Sequence, residues 1–159
     1  MPTNTQRFLG AVASIAITVG GAWLASMAHS KSTTVAQIAF PNGISATFRD
    51  IRNAQGNVVV MVFADREAFK IYDVTKAVGY KEVPARTGDV KVTFPDLTKG
   101  PYAIAAFHDE DENRDLTMDG AWPAEGYATS GALDAYDTPT FRSAAIDKSD
   151  VTITMYYAN

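Results

Sequence analysis

The stretch Ile44-Ser45-Ala46-Thr47-Phe48-Arg49, then Asn53-Ala54-Gln55-Gly56-Asn57, then Val58-Val59-Val60-Met61-Val62-Phe63-Ala64 decides the fold class. In its first part Ile44, Ala46 and Phe48 alternate with Ser45, Thr47 and Arg49, the period-two spacing that turns one row of side chains inward and the other to solvent. The polar, glycine-containing segment that follows reads as a hairpin turn. Val58 to Ala64 does not alternate and is rich in β-branched residues, which predicts a central strand covered on both faces.

Outward from there, the same signals recur. Val90, Val92 and Phe94 alternate with Lys91 and Thr93, Tyr102 to Phe107 is again apolar, and Val151, Ile153, Met155 and Tyr157 alternate with Thr152, Thr154 and Tyr156. Between them Arg66 to Arg86 is weakly patterned: Phe69, Ile71 and Tyr72 suggest a short edge strand and Val74 to Tyr80 a helical turn. Closely spaced Gly and Pro between these runs predict an all-β fold, an antiparallel β-sandwich over residues 43–159. No internal repeat or low-complexity tract interrupts it.

Upstream, a single Arg7 precedes an uncharged run from Phe8 to Ala28, and Ser26-Met27-Ala28 places small residues where a signal peptidase cuts. The expected organisation is therefore a signal peptide over 1–28, a polar linker over 29–42 and the sandwich. An uncleaved anchor is the rival, since about 20 apolar residues can just cross a bilayer. Either way the domain is expected outside the cytoplasm, in the periplasm or secreted, touching membrane only if the segment stays attached.

Fourteen Lys and Arg against eighteen Asp and Glu give a formal charge of −4, without the basic excess that a nucleic-acid partner demands. Every acid lies downstream of Ala28, so the exported product is acidic. The absence of cysteine removes disulfides, thiolate metal sites and cysteine nucleophiles together.

Chemistry concentrates in His108-Asp109-Glu110-Asp111-Glu112-Asn113-Arg114-Asp115-Leu116-Thr117-Met118-Asp119-Gly120. Asp109, Asp111, Asn113 and Asp115 occupy positions 1, 3, 5 and 7 of a loop, the spacing by which a chain wraps hard oxygen ligands around Ca2+, and Asp119 can close it. A lone histidine suits transition metals poorly. An EF-hand proper is excluded, because Arg114 stands where the sharp turn needs Gly and Gly120 where a bidentate Glu belongs. The alternative is a solvated acidic turn with Arg114 as partial counter-ion, although acids packed this closely repel one another. Glu110 and Glu112 are expected to face solvent.

His108 beside Asp109 admits a catalytic reading, a small periplasmic hydrolase with a loop carboxylate. Ser130 and Ser143 lack nucleophile-elbow glycines, however, and the other histidine, His29, stands in the polar linker at the start of the exported chain. The acids come from one loop rather than from opposed cleft walls, and Gly100, Gly120, Gly126 and Gly131 form no phosphate cradle. Trp122, Tyr127, Tyr136 and Phe141 lie between the loop and the last strand. They either pin a long connection to the core or form a binding surface, through Trp122, Tyr127 and Tyr136, for a protein or glycan.

Three segments carry a family resemblance. They are Asp96-Leu97-Thr98-Lys99-Gly100-Pro101-Tyr102-Ala103, the His108-Asp109-Glu110-Asp111-Glu112-Asn113 loop, and Pro123-Ala124-Glu125-Gly126-Tyr127 with Ser130. Together they resemble the bacterial secreted family catalogued as domain of unknown function 2141, over roughly Ile44 to Tyr157. Arg114 departs from the glycine usual in that loop, and Ala128 from the glycine usual after Gly126-Tyr127. The resemblance implies a transthyretin-like or immunoglobulin-like sandwich and no established activity. The expectation is an exported, non-enzymatic binding or accessory module of the cell envelope with a Ca2+ loop; a purely structural envelope protein without metal is the alternative.

Overall fold

The computed structural model describes residues 37–158; the expected export segment and the first part of the expected linker lie outside the described residues. The strands are β1 (Ile44–Ile51), β2 (Asn57–Phe63), β3 (Gly79–Pro84), β4 (Gly88–Phe94), β5 (Ala103–Asp109), β6 (Met118–Asp119), β7 (Trp122–Pro123), β8 (Gly126–Thr129) and β9 (Asp150–Thr154). Among the described residues, two short α-helices, α1 (Arg66–Lys70) and α2 (Phe141–Ala144), accompany the strands. One sheet has the order β4-β1-β9 and the other β3-β2-β5-β8; β6 and β7 form a small hairpin of their own.

The alternating strands build one side of the core. Ile44, Ala46, Phe48, Val90 and Val92 meet Val58, Val60, Val62, Ile104 and Ala106 of the facing sheet in a single buried cluster. The odd-numbered side of the apolar run, Val59, Met61 and Phe63, is also buried, beneath Ala68 and Phe69 of α1 and Ala144 of α2. That second cover is why Val58 to Phe63 carries no polar alternation. Part of the expected linker joins the core too: Phe40 is buried and stacks on Tyr102 at 5.8 Å.

Four expectations need correction. The sandwich is mixed rather than antiparallel, because β9 runs parallel to β1, Ala46 opposite Val151 and Phe48 opposite Ile153. The Asn53–Asn57 turn is no hairpin: β1 pairs with β4 and β9, β2 with β3 and β5, so the chain crosses between sheets there. Phe69 lies in a helix, not an edge strand. The Asp65 side chain accepts from the Ala68 amide at 2.8 Å, an N-cap that closes one turn and drops Ala68 and Phe69 onto the sheet. Finally, only Val74–Lys76 is a helical turn, capped by Asp73; Tyr80 belongs to β3, with Met61 opposite it.

β1 also contains a bulge. Phe48 opposes Val90 but Ile51 opposes Gly88, so one extra residue sits in β1, and Asp50 takes φ 65° to absorb it. Strict alternation would turn Asp50 inward; the bulge turns Ile51 inward instead.

Candidate metal centre and the network that positions it

β5 delivers the site. It runs two residues past the apolar stretch, so that His108 and Asp109 are strand residues and both are buried. The loop then folds around the Asp109 carboxylate. Oδ1 accepts from the Asn113 amide and Oδ2 from the Arg114 amide, both at 3.0 Å. Asp111 Oδ1 shares the Asn113 amide at 3.1 Å, and its Oδ2 accepts from Asn113 Nδ2 at 3.0 Å. Glu125, just before β8 and buried, clamps both ends of the loop: Oε1 accepts from the Glu110 amide at 2.8 Å and Oε2 from the Thr117 amide at 3.0 Å.

One oxygen each from Asp109, Asp111 and Glu125 lies within 4.8 Å of the others. Ca2+ holds oxygens at about 2.3–2.6 Å, so oxygens up to about 5 Å apart can share one ion. A carboxylate has about four acceptor sites, and those of Asp109 and Glu125 each receive two amides, which leaves capacity for a cation. Asn113 lies within the loop network, its Oδ1 accepting from the Asp115 amide at 2.6 Å. Asp115 and Asp119 stand outside the three-carboxylate group: Asp115 is exposed and accepts from the Leu116 amide, and Asp119 is exposed opposite Trp122 in the β6–β7 hairpin. Glu125 was not expected from sequence. It lies 16 residues from Asp109, and only its place in the Pro123–Tyr127 segment that carries the family resemblance marks it.

The loop takes its sharp turn without glycine. Glu112 and Arg114 adopt φ of 60° and 66°, a conformation that costs a non-glycine residue roughly 1 kcal/mol. The Arg114 guanidinium reaches Glu82 on β3 at 3.3 Å.

Glu110 does not face solvent as expected. It pairs with Arg52, whose Nε donates to Oε1 at 2.9 Å and whose Nη2 donates to Oε2, and it accepts from Asn53. Burial alone would raise the Glu110 carboxyl; the hydrogen bonds from Arg52 and Asn53, with the Arg52 charge, outweigh it and hold the group below the ordinary glutamate range. Glu112 is exposed.

His108 is fully buried, with both ring nitrogens engaged. Nε2 lies 2.8 Å from the Gln55 carbonyl oxygen, an acceptor only, so Nε2 carries a proton; Nδ1 lies 2.9 Å from the Tyr157 hydroxyl. That hydroxyl in turn accepts from the Arg52 amide at 3.1 Å, while the Arg52 guanidinium lies 4.6 Å from the Tyr157 ring centroid. Two glycines make room. Gly126, opposite His108, leaves the space that the Tyr157 ring fills, and a Cβ on Gly56, at φ 62°, would overlap the Asp109 carbonyl oxygen. A histidine so enclosed ties the Gln55 turn to Tyr157 and has no exposed face to offer a substrate. Ser130 is likewise occupied: its hydroxyl accepts from the Ile104 amide and donates to the Ala144 carbonyl.

The aromatics divide. The Tyr127 hydroxyl donates to the Ala135 carbonyl, and Phe141 packs edge-on to Phe69 at 5.9 Å, so these two pin the connection. Trp122 and Tyr136 are 51% and 75% exposed and meet edge to face at 5.3 Å.

These features define a two-sheet β-sandwich whose buried strand end and acidic loop are locked together by a distant glutamate. The chain belongs to the family described as "Uncharacterized protein conserved in bacteria (DUF2141)", whose profile matches residues 47–155. Every element of the site except Tyr157 falls inside that span. No curated protein and no solved structure matches the chain.

Proposed function

We propose that this protein is an exported, non-enzymatic binding or accessory module of the bacterial cell envelope, periplasmic or secreted, whose loop after β5 binds Ca2+. Asp109, Asp111 and Glu125 supply the carboxylates, with Asn113 beside them; Glu125 takes the place that spacing alone gives to Asp115 and Asp119. The observation that carries this reading is the convergence of three carboxylates, two of them buried, from segments 14 residues apart. Both ions take hard oxygen donors, but an irregular loop site suits the flexible coordination of Ca2+ better than the strict octahedron of Mg2+. The two-sheet arrangement supports the transthyretin-like or immunoglobulin-like reading, and the exposed Trp122–Tyr136 pair supports a protein or glycan contact. The uncharged Phe8–Ala28 segment supports export.

Titration calorimetry of the chain from His29 to Asn159, which contains all the described core, tests the metal assignment. One Ca2+ should bind per chain, Asp111→Ala and Glu125→Gln should each weaken it at least about tenfold, and Asp119→Ala should leave it unchanged. Unaltered affinity in Asp111→Ala would sink the proposal.

A further inference from the structure

The outer face of the β3-β2-β5-β8 sheet is only partly covered by the helices. Beside the acidic loop a groove of about 360 Å3 remains, floored by Val59, Met61, Ala105 and Phe107. Tyr72, Tyr80 and Tyr127 also line it, with Tyr72 and Tyr80 close to half exposed. This volume lies in the range of small-molecule sites, about 300–1,000 Å3.

The charges at the mouth have a sign. Asp115 lines the groove, and Arg114, the cation that also lines it, is already paired with Glu82. Glu82 also accepts from the Tyr80 hydroxyl at 2.6 Å. Burial, then this carboxylate, pushes the Tyr80 hydroxyl up to about 12, so it stays neutral. The carboxylates of Asp109 and Asp111 lie on the same loop. An anion entering here would meet this acidic side; a cation would find it together with the negative faces of tyrosyl rings.

We propose that this groove binds a small hydrophobic molecule bearing a cationic, ammonium-type head. The apolar sheet face takes the body, and Tyr72 and Tyr80 with Asp115 take the head. The proposal does not rest on Ca2+ binding, since the groove is formed by strands and by a loop that the Asp109 and Glu125 hydrogen bonds already hold.

The test titrates decyltrimethylammonium, below its micelle concentration, into the chain from His29 in the presence of chelator, with decyl sulfate as the matched anion. The ammonium probe should saturate at one per chain and bind at least about tenfold tighter than the sulfate. Tyr72→Asn, which suits the φ of 51° at that position, and Tyr80→Thr, on an edge strand, should each weaken it about tenfold. Leu133→Ser, at a residue 88% exposed and outside the groove lining, should bind as the parent does. Equal or tighter binding of the sulfate, uptake that never saturates, or indifference to both tyrosine variants would overturn the proposal. So would a dimer that closes the groove and is lost in Tyr80→Thr, seen by sedimentation. If either variant fails to fold by circular dichroism, the two probes on the parent chain still decide.

Discussion

Asp109 sits where the apolar strand ends and the acidic loop begins, and its carboxylate accepts the amides of Asn113 and Arg114. The same side chain that organises the turn is thus the deepest of the three that converge on the candidate metal position. Arg114 shows the strain of that turn most plainly, in a left-handed conformation that glycine adopts freely. Arg114→Gly should raise stability by about 0.5–1 kcal/mol in urea unfolding, the lost exposed pair with Glu82 offsetting little of it. Tyr157→Phe leaves the buried His108 Nδ1 and the Arg52 amide without their partner; a loss of about 1–3 kcal/mol is expected by the same measurement. Glu110 supplies a pH signature. Its folded carboxyl is held below the ordinary value of 4.5, so its contribution is complete above that pH and disappears as pH falls through the lowered folded value. The stability difference between the parent and Glu110→Gln, about 1 kcal/mol at neutral pH, should therefore be flat above pH 5 and collapse in acid; a difference that persisted at acid pH would contradict the pairing.

At the scale of elements, the bulge in β1 illustrates what a sequence hides. Alternation from Ile44 to Phe48 is legible, but its phase changes at Asp50, and nothing short of the pairing with β4 reveals that Ile51 returns inward. Asp50→Gly should be neutral within about 0.5 kcal/mol, whereas Asp50→Val, β-branched at positive φ, should cost about 1–2 kcal/mol. β3 was missed for another reason: its residues are mostly half-buried or exposed, so an edge strand leaves little hydrophobic periodicity to read. α1 was missed because one turn of helix has no period at all, and its signal is the Asp65 cap rather than the apolar spacing of Phe69, Ile71 and Tyr72. The buried strands were legible because both faces of β2 and β5 are covered, and a fully buried strand declares itself as an unbroken apolar run.

For the whole molecule, two sheets enclosing one core follow from the alternating and continuous runs, but the parallel β1–β9 pair does not. Strand partners far apart in sequence are set by global packing, and no local signal marks their direction. The site was legible to the same degree. Of the three converging carboxylates, Asp109 and Asp111 stood out by spacing, while Glu125 joins them only because β5 and β8 are adjacent and bring Pro123–Tyr127 against the loop. Asp115 and Asp119 fit the spacing equally well, yet the chain turns them outward. Thermal unfolding of the chain from His29 in Ca2+, in Mg2+ and in chelator tests the calcium assignment most directly. Binding to the folded state alone adds about 2.7 kcal/mol at a hundredfold excess over Kd, so Ca2+ should raise the midpoint by roughly 5–10 °C over chelator and Mg2+ by clearly less. Midpoints that coincide in Ca2+ and chelator would contradict it and leave the loop as an acidic turn held by its own amides.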